Sequence, residues 1–583
     1  MVGRSNRHSL GEMRLWATKA VLVATRLFEG AKYARPHNIV FHRDRLTNAL
    51  RHGCFTCQSA SGALTSNEAW RGLRITRMRG MPDLEENKLA LTILLGFFVA
   101  RLFFAVALGL GIDESYTIAI SRHLCLSYFD HPPLHLWIVH FSSLVEGESV
   151  AARDPFVALF FATAWIYYRF ACELFGPRSS LIGLFALNVT PFFFASAGAW
   201  IVPDGPLLFG LAVVAWAASR LFFSKPPDQA LAWRYWILIG VGLGLAGLAK
   251  YSAVLPAAGL AAFVTLSSNQ RHWLKHPAPY VSAIVAFAMI MPVIVWNAQH
   301  GWASFKFQGA RGVPGGELHP AQLLTMVVGE VAFLSPWIFA PLVAGIASAF
   351  RHWRDERRLF LLCLSLPAIV LFTLTPLWGG RGQPHWAMPG WFFAFALIGA
   401  WVNKFGVSAG ALRRWVFVSL ALLAAIVAIA ILQASTGWPW VVLAAQSHLA
   451  DPTLEGFEWR NLKKAPIFVQ APSFIISTKW SDAGKIALAF GPQTPIFVLS
   501  NDPRGWAFLD DSGSFVGQSG VIVTRAAEVA STLAVAIPLF AGLGQPQLYT
   551  LGRGGRPEIK LALIPASGLT RRLPISYPSA TGR

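Results

Sequence analysis

From Leu89 to Gln433 the chain is a train of apolar runs separated by short breaks, and this train limits the fold more than any other feature. Roughly eleven runs are long enough, or nearly so, to cross about 30 Å of hydrocarbon as helices rising about 1.5 Å per residue. They lie near 89–111, 154–175, 180–198, 205–223, 235–250, 252–267, 278–297, 322–349, 359–377, 386–402 and 414–433. A chain that is 54% hydrophobic and 13% charged, with its apolar residues gathered in this way, is an α-helical polytopic membrane protein.

The breaks carry charge unevenly. One alternating set holds Arg178; Arg220, Lys225 and Arg234; Arg271 and Lys275; Arg351, Arg354, Arg357 and Arg358; Lys404, Arg413 and Arg414. The other holds only Arg122, Arg153, Lys250, Lys306, Arg311 and Arg381. The positive-inside rule makes the rich set cytoplasmic, so the N-terminus is expected inside and the C-terminal region outside. The same placement accounts for the net charge of +20 without nucleic acid, because the cations sit in short loops and in an N-terminal extension. Up to Asp83 that extension has fourteen Lys or Arg against five acids and no long apolar run, which reads as a disordered cytoplasmic tail. Met78 or Met81 would also serve as a start just before the first span. Five cysteines form no extracellular framework, and Cys54 and Cys57 make a lone CxxC without the second pair a zinc site needs.

Directly after the first apolar run comes GIDESYTIAISRHLCLSYFDHPPL, residues 111–134, with Asp113, Glu114, Asp130, His123 and His131. Charge at a membrane edge is costly and marks a functional site. Glu114 to Tyr128 has no internal Pro or Gly and reads as one interfacial helix, ended by Pro132 and Pro133, with a second amphipathic stretch at 134–145. A helix of that length is about 20 Å long, which would leave Asp113 and Asp130 near opposite ends. The expected topology puts Asp113, Glu114, Asp130, Asp204, Lys250, Arg311, Arg381, His131, His300 and His385 on one outer face. If the substrate there is a sugar on a polyprenyl phosphate, the leaving group is a phosphate that needs no strong acid. One carboxylate to take the acceptor's proton and cations around the phosphate suffice. Asp113 is the chosen base; Lys250, Arg311 and His131 are candidates for the phosphate.

The motifs DESY at 113–116, YFDHPPL at 128–134, PDGPLL at 203–208, GLAKYSAVLP at 247–256, NAQHGWASFKFQ at 297–308 and QPHWAMPGW at 383–391 resemble glycosyltransferase family 39. These are the dolichyl-phosphate-mannose-protein mannosyltransferase-like membrane proteins of bacteria. The chain is also similar, more distantly, to the aminoarabinose transferase that modifies lipid A. The resemblance covers about 89–433, and more loosely the C-terminal part. It implies a GT-C fold, a polyprenyl-phosphate sugar donor, Asp113 as catalytic base with Glu114 beside it, Asp204 near the reacting centre, and Lys250 with Tyr251 at the donor phosphate. In the lipid A enzyme a lysine precedes the paired prolines where this chain has His131, a residue charged only below about pH 6.5. His131 and Asp130 are therefore also candidates for a divalent metal, with no cofactor otherwise implied. Plainer readings stand beside these: Asp204 as a helix cap, His300 and His385 as belt residues beside Trp302 and Trp386, and Arg101 as a snorkelling or helix-bonding residue.

After Gln433 the pattern changes to short β-branched runs, IFVQA at 467–471, FIIST at 474–478, PIFVLS at 495–500 and GVIVT at 520–524, between two stretches of helical spacing. Three parts are expected: a basic cytoplasmic extension at 1–85, a GT-C transmembrane domain of about 11 helices at 86–433, and a small extracytoplasmic α/β domain at 434–583. A lipid-linked sugar transporter or flippase is the alternative, and it predicts interrupted helices with substrate groups at mid-membrane.

Overall fold

The first helix, α1 (Leu84–Ala107), begins where Asp83 accepts the Glu86 N–H at 2.8 Å and Glu86 accepts the Asp83 N–H at 3.0 Å, a reciprocal cap. It opens the part of the protein described by a computed structural model: residues 83–224, 228–311, 317–380, 382–438, 451–554 and 556–574. The basic extension with Cys54 and Cys57, and also Lys225 and Arg381, lie outside the described residues.

Next come α2 (Ile112–Ser121), α3 (Leu134–Glu146), α4 (Asp154–Phe175), α5 (Pro177–Val189), α6 (Asp204–Phe223), α7 (Gln229–Ala249), α8 (Val254–Leu266) and α9 (Ala278–Gln299). The helical part closes with α10 (Ala303–Arg311), α11 (Pro320–Leu334), α12 (Pro336–Arg351), α13 (Glu356–Leu374), α14 (Met388–Lys404) and α15 (Ala409–Thr436). Among the described residues eight helices are long and apolar enough to cross a membrane, or up to ten if each of two bent pairs is one span. Every apolar run expected from the sequence is helical, but three are not straight crossings. The run at 180–198 bends by 81° and the run at 322–349 by 106°, while α8 falls among the shorter apolar helices.

Both bends fall at a residue followed by proline, Thr190–Pro191 and Ser335–Pro336, where the proline ring bars helical geometry from its predecessor. Ser335 takes φ +69°. Beyond the first bend a wide turn over Phe192–Ser196 is pinned by the fully buried Arg101, which donates to the carbonyls of Phe193 and Phe194 and to Asn188 Oδ1. Arg101 thus bonds to neighbouring chain, one of its two plainer readings. Val99, Phe103, Ile284 and Phe417 are exposed on the bundle, a surface suited to lipid.

The two classes of loop separate in space. Asn403 donates to Ser179 Oγ at 2.6 Å, Lys404 Nζ lies 2.8 Å from His352 Nε2, Arg220 pairs with Glu173 at 2.7 Å, and the Ser267 hydroxyl donates to Glu356. These contacts gather the Lys- and Arg-rich breaks at one end of the bundle. Asp113, Asp204 and Lys250 belong to the other end.

Against that other end packs a sheet of six strands. Its strands are β1 (Ile475–Ser477), β2 (Ile496–Val498), β3 (Gly520–Arg525), β4 (Phe540–Leu543), β5 (Gln547–Arg553) and β6 (Arg556–Leu569). The order is β2-β1-β3-β6-β4, with β5 also on β6; β1 is parallel to β2 and β3, and β6 is antiparallel to its neighbours. Helix α16 (Trp480–Phe490) covers one face and α17 (Val529–Ala536) follows β3. Of the runs expected as strands, 467–471 is not one: Pro466–Phe468 forms a 3-10 turn, as the proline at its start favours. The long β6 and its partners β4 and β5 lie outside the runs expected as strands.

Glycine decides how closely sheet and bundle meet. A Cβ on Gly484 of α16 would lie 2.7 Å from the backbone nitrogen of Tyr116 in α2, so only glycine admits this backbone-to-backbone contact.

Candidate active site

The end of α1 leaves unbonded carbonyls, and Arg153 collects them. Its guanidinium donates to Leu108 O at 2.7 Å, to Gly109 O at 2.8 Å and to Ala105 O, while Nε donates to Glu114 Oε1 at 2.7 Å. Glu114 also accepts the N–H groups of Gly111 at 2.7 Å and Ile201 at 3.0 Å. Burial opposes ionisation of Glu114, but the adjoining Arg153 outweighs it and holds the carboxyl below its ordinary range. Every lone pair of Glu114 is engaged. Its work is to fix where α2 starts.

Asp113, one residue earlier, is in the opposite condition. No hydrogen bond contributes to its ionisation, and its carboxyl is open to a cavity of about 350 Å³ walled by Phe104, Trp200, Leu423, Ile426 and Glu455. Withdrawal from bulk water, then the nearby charges of Glu455 and Asp130, raise its pKa to about 6, with Arg504 pulling the other way. Phe194, Leu423 and Val427 are shared with a second cavity of about 840 Å³, which runs between α1, α5 and α15 and is lined almost wholly by apolar side chains.

Asp130 lies close enough to Asp113 to act on its charge, contrary to the expected separation. The helix expected to reach Tyr128 stops at Ser121, and side chains replace its later hydrogen bonds. The Tyr128 hydroxyl accepts the Cys125 N–H at 3.2 Å and donates to His123 O at 2.9 Å, and Trp137 Nε1 donates to Cys125 O at 2.8 Å. The chain therefore folds back and brings Asp130 beside Tyr116, whose hydroxyl donates to Asp130 Oδ1 at 2.9 Å. Burial raises the Asp130 carboxyl, against the pull of Arg504.

The remaining candidates divide. Lys250 Nζ pairs with Asp204 Oδ1 at 2.9 Å, and both charges act on His131 and His385, as does Arg311. Asp204 makes no capping hydrogen bond to its helix, so the cap reading fails. Tyr251 is held by Ser304 at 2.6 Å and lies within reach of Asp130. His300 is not part of this cluster: it stacks on Trp296 at 4.1 Å and bonds to Trp296 O, as a belt residue would. Burial, then Lys250 and Arg311, push His131 down to about 3, so it offers a neutral ring and not a cation.

Nor does His131 make a metal site with Asp130. Its ring packs edge-on against His135 at 5.5 Å while Asp130 is committed to Tyr116 and Arg504, and among the described residues no three His, Cys, Asp or Glu converge to hold a metal. These residues do not fit the suggested ion.

Sequence reasoning missed Arg153, Tyr116, Glu455 and Arg504. Asn501-Asp502-Pro503-Arg504-Gly505 carries a turn signal, but nothing in it shows where the turn lands.

The dolichyl-phosphate-mannose-protein mannosyltransferase family model matches residues 130–296. Lipid A galacturonosyltransferase RgtD of Rhizobium johnstonii is 23% identical over 336 residues, which span 54% of this chain and 65% of that protein, less than two thirds of its length. ArnT from Cupriavidus metallidurans superposes with a TM-score of 0.57 in its complex with undecaprenyl phosphate, at 15% identity over 82% of this chain and 97% of that one. Its apo form gives 0.55, at 14% identity over 82% and 98%. This chain is a polytopic membrane protein whose fold is that of ArnT, the GT-C fold.

Proposed function

We propose that the chain is a membrane glycosyltransferase that moves a sugar from a polyprenyl phosphate to a lipid-borne acceptor on the extracytoplasmic face. The observation that carries this reading is Asp113: a carboxylate without hydrogen bonds that lines an apolar cavity and lies within the field of Arg504. A base must touch the acceptor, so the cavity that Asp113 lines belongs to the acceptor. Its apolar walls and the second cavity adjoining it suit acyl chains better than a peptide. Lys250 and Arg311 suit the donor phosphate. Asp113 takes the proton of an acceptor hydroxyl, the oxygen attacks the anomeric carbon, and the bond from that carbon to the phosphate oxygen breaks with its electron pair leaving on the phosphate. The segregation of Lys and Arg at the far end of the bundle supports the extracytoplasmic assignment. The undecaprenyl phosphate bound to ArnT and the action of RgtD on lipid A agree with the reading. The two bent helix pairs are what a transporter would have, yet the charged groups sit at helix ends and not at their middles.

Membranes containing the protein, given radiolabelled polyprenyl-phosphate sugars, are expected to pass label into the glycolipid fraction. Label that stays on the donor with every sugar offered, or a topology reporter after Pro133 facing the cytosol, would overturn the proposal.

Activity should also follow the state of Asp113. The base form is lost as pH falls through about 6, so kcat/KM is expected to drop tenfold per pH unit below that point. An ordinary aspartate would hold its activity to about pH 4. A profile flat down to pH 4.5 would contradict the raised pKa of Asp113.

A further inference from the structure

The sheet domain brings Arg504 into the charged group at the bundle end. Arg504 lies in the turn after β2 and takes φ +52°, a left-handed conformation that non-glycine residues adopt only when their surroundings impose it. The surroundings are specific. Its guanidinium carbon lies 4.5 Å from the centre of the Trp480 ring and 5.2 Å from that of Phe307, Nε lies 3.0 Å from both oxygens of Asp502, and Nη1 lies 3.7 Å from Asp130 Oδ2. The next residue ties the turn to α2, since the Gly505 N–H donates to the Tyr116 hydroxyl at 2.8 Å. A Cβ at Gly505 would come within 2.5 Å of that oxygen.

The cations meet around shared groups. Arg311 stacks on the same Phe307 ring at 4.4 Å, and Lys250, Arg311 and Arg504 all act on His131. Arg504 is also the cation whose field reaches Asp113. The three come from the end of α7, the end of α10 and the sheet domain, which are far apart in the chain. A convergence of this kind favours a multiply charged anion, for which a guanidinium offers several directed donors.

Resting on the function proposed above, we infer that Arg504 is a third ligand for the donor phosphate, so that the sheet domain supplies part of the phosphate site and is not merely a cover. When the sugar leaves, the phosphate gains a negative charge. A cation at this point therefore binds the product headgroup, and the transition state leading to it, more tightly than the intact donor.

Polyprenyl phosphate, the expected product, is the probe, titrated into the purified full-length protein in detergent alongside the uncharged polyprenol. Arg504→Gln removes the charge and leaves a shorter, neutral polar side chain; Arg504→Lys restores the charge without the guanidinium plane. The Gln variant is expected to bind polyprenyl phosphate about 10- to 100-fold more weakly than the native protein and polyprenol equally well, with the Lys variant recovering part of the loss. Equal affinity of the native and Gln proteins for polyprenyl phosphate would overturn the inference. So would a matching loss for polyprenol, which would make Arg504 a strut for the turn. A native protein that does not bind polyprenyl phosphate would instead bring down the functional reading on which this one rests.

Discussion

Asp113→Asn is expected to reduce sugar transfer by roughly a hundred- to ten-thousand-fold while the protein still inserts and folds. The amide matches the carboxylate in size and removes its basicity. No hydrogen bond stabilises the ionised form of Asp113, and limited hydration together with the charges of Glu455 and Asp130 works against it, so the fold loses nothing by the exchange. Transfer rates and thermal unfolding measured on the same purified preparation separate the two effects. Transfer near the native rate would exclude Asp113 as the base, and loss of folded protein would contradict the description of its surroundings.

One residue along the helix the expectation reverses. Arg153→Ala strands the Glu114 carboxylate, whose side chain is 4% exposed, and frees the carbonyls at the end of α1. Removing one partner of a buried ion pair costs about 3–5 kcal/mol, enough to deplete the folded protein in the membrane. Glu114→Ala is expected to do the same from the other side. Glu114→Gln, which keeps the acceptor for the Ile201 N–H, should fall between. Folded yield and unfolding temperature check this series, and a fully stable Arg153→Ala protein would contradict it.

The contrast shows what the sequence reveals and what it hides. That 113 and 114 are both acids just beyond an apolar run is legible, and the resemblance names them together. Which is free and which is engaged depends on Arg153 and Ile201, whose positions follow from the packing of α1, α3 and α4. Apolar runs are legible because hydrocarbon thickness sets a length that a helix must meet. Their bends are less so: Pro191 and Pro336 break their helices, while Pro292, Pro341 and Pro367 sit inside theirs. A proline removes one donor and restricts its neighbour, but whether the helix breaks depends on what satisfies the groups set free. The same limit explains the early end of α2, where hydroxyl and indole partners replace backbone bonds with no proline or glycine to announce it. The cation cluster was half legible: Lys250 stood in a recognisable motif and Arg311 in a loop poor in basic residues, whereas Arg504 reaches the cluster through a contact that no local pattern encodes.

The close approach of α16 to α2 has a consequence for anyone dividing this protein. Thr453, Glu455 and Gly456 form part of the chamber around Asp113, Lys485 donates to the carbonyl of Leu110, and Gly484 abuts Tyr116 without intervening side chains. Expressed alone, the helical half would arrive with that chamber unroofed on one side, and the detached sheet would present a bare surface cut to fit a partner it no longer has.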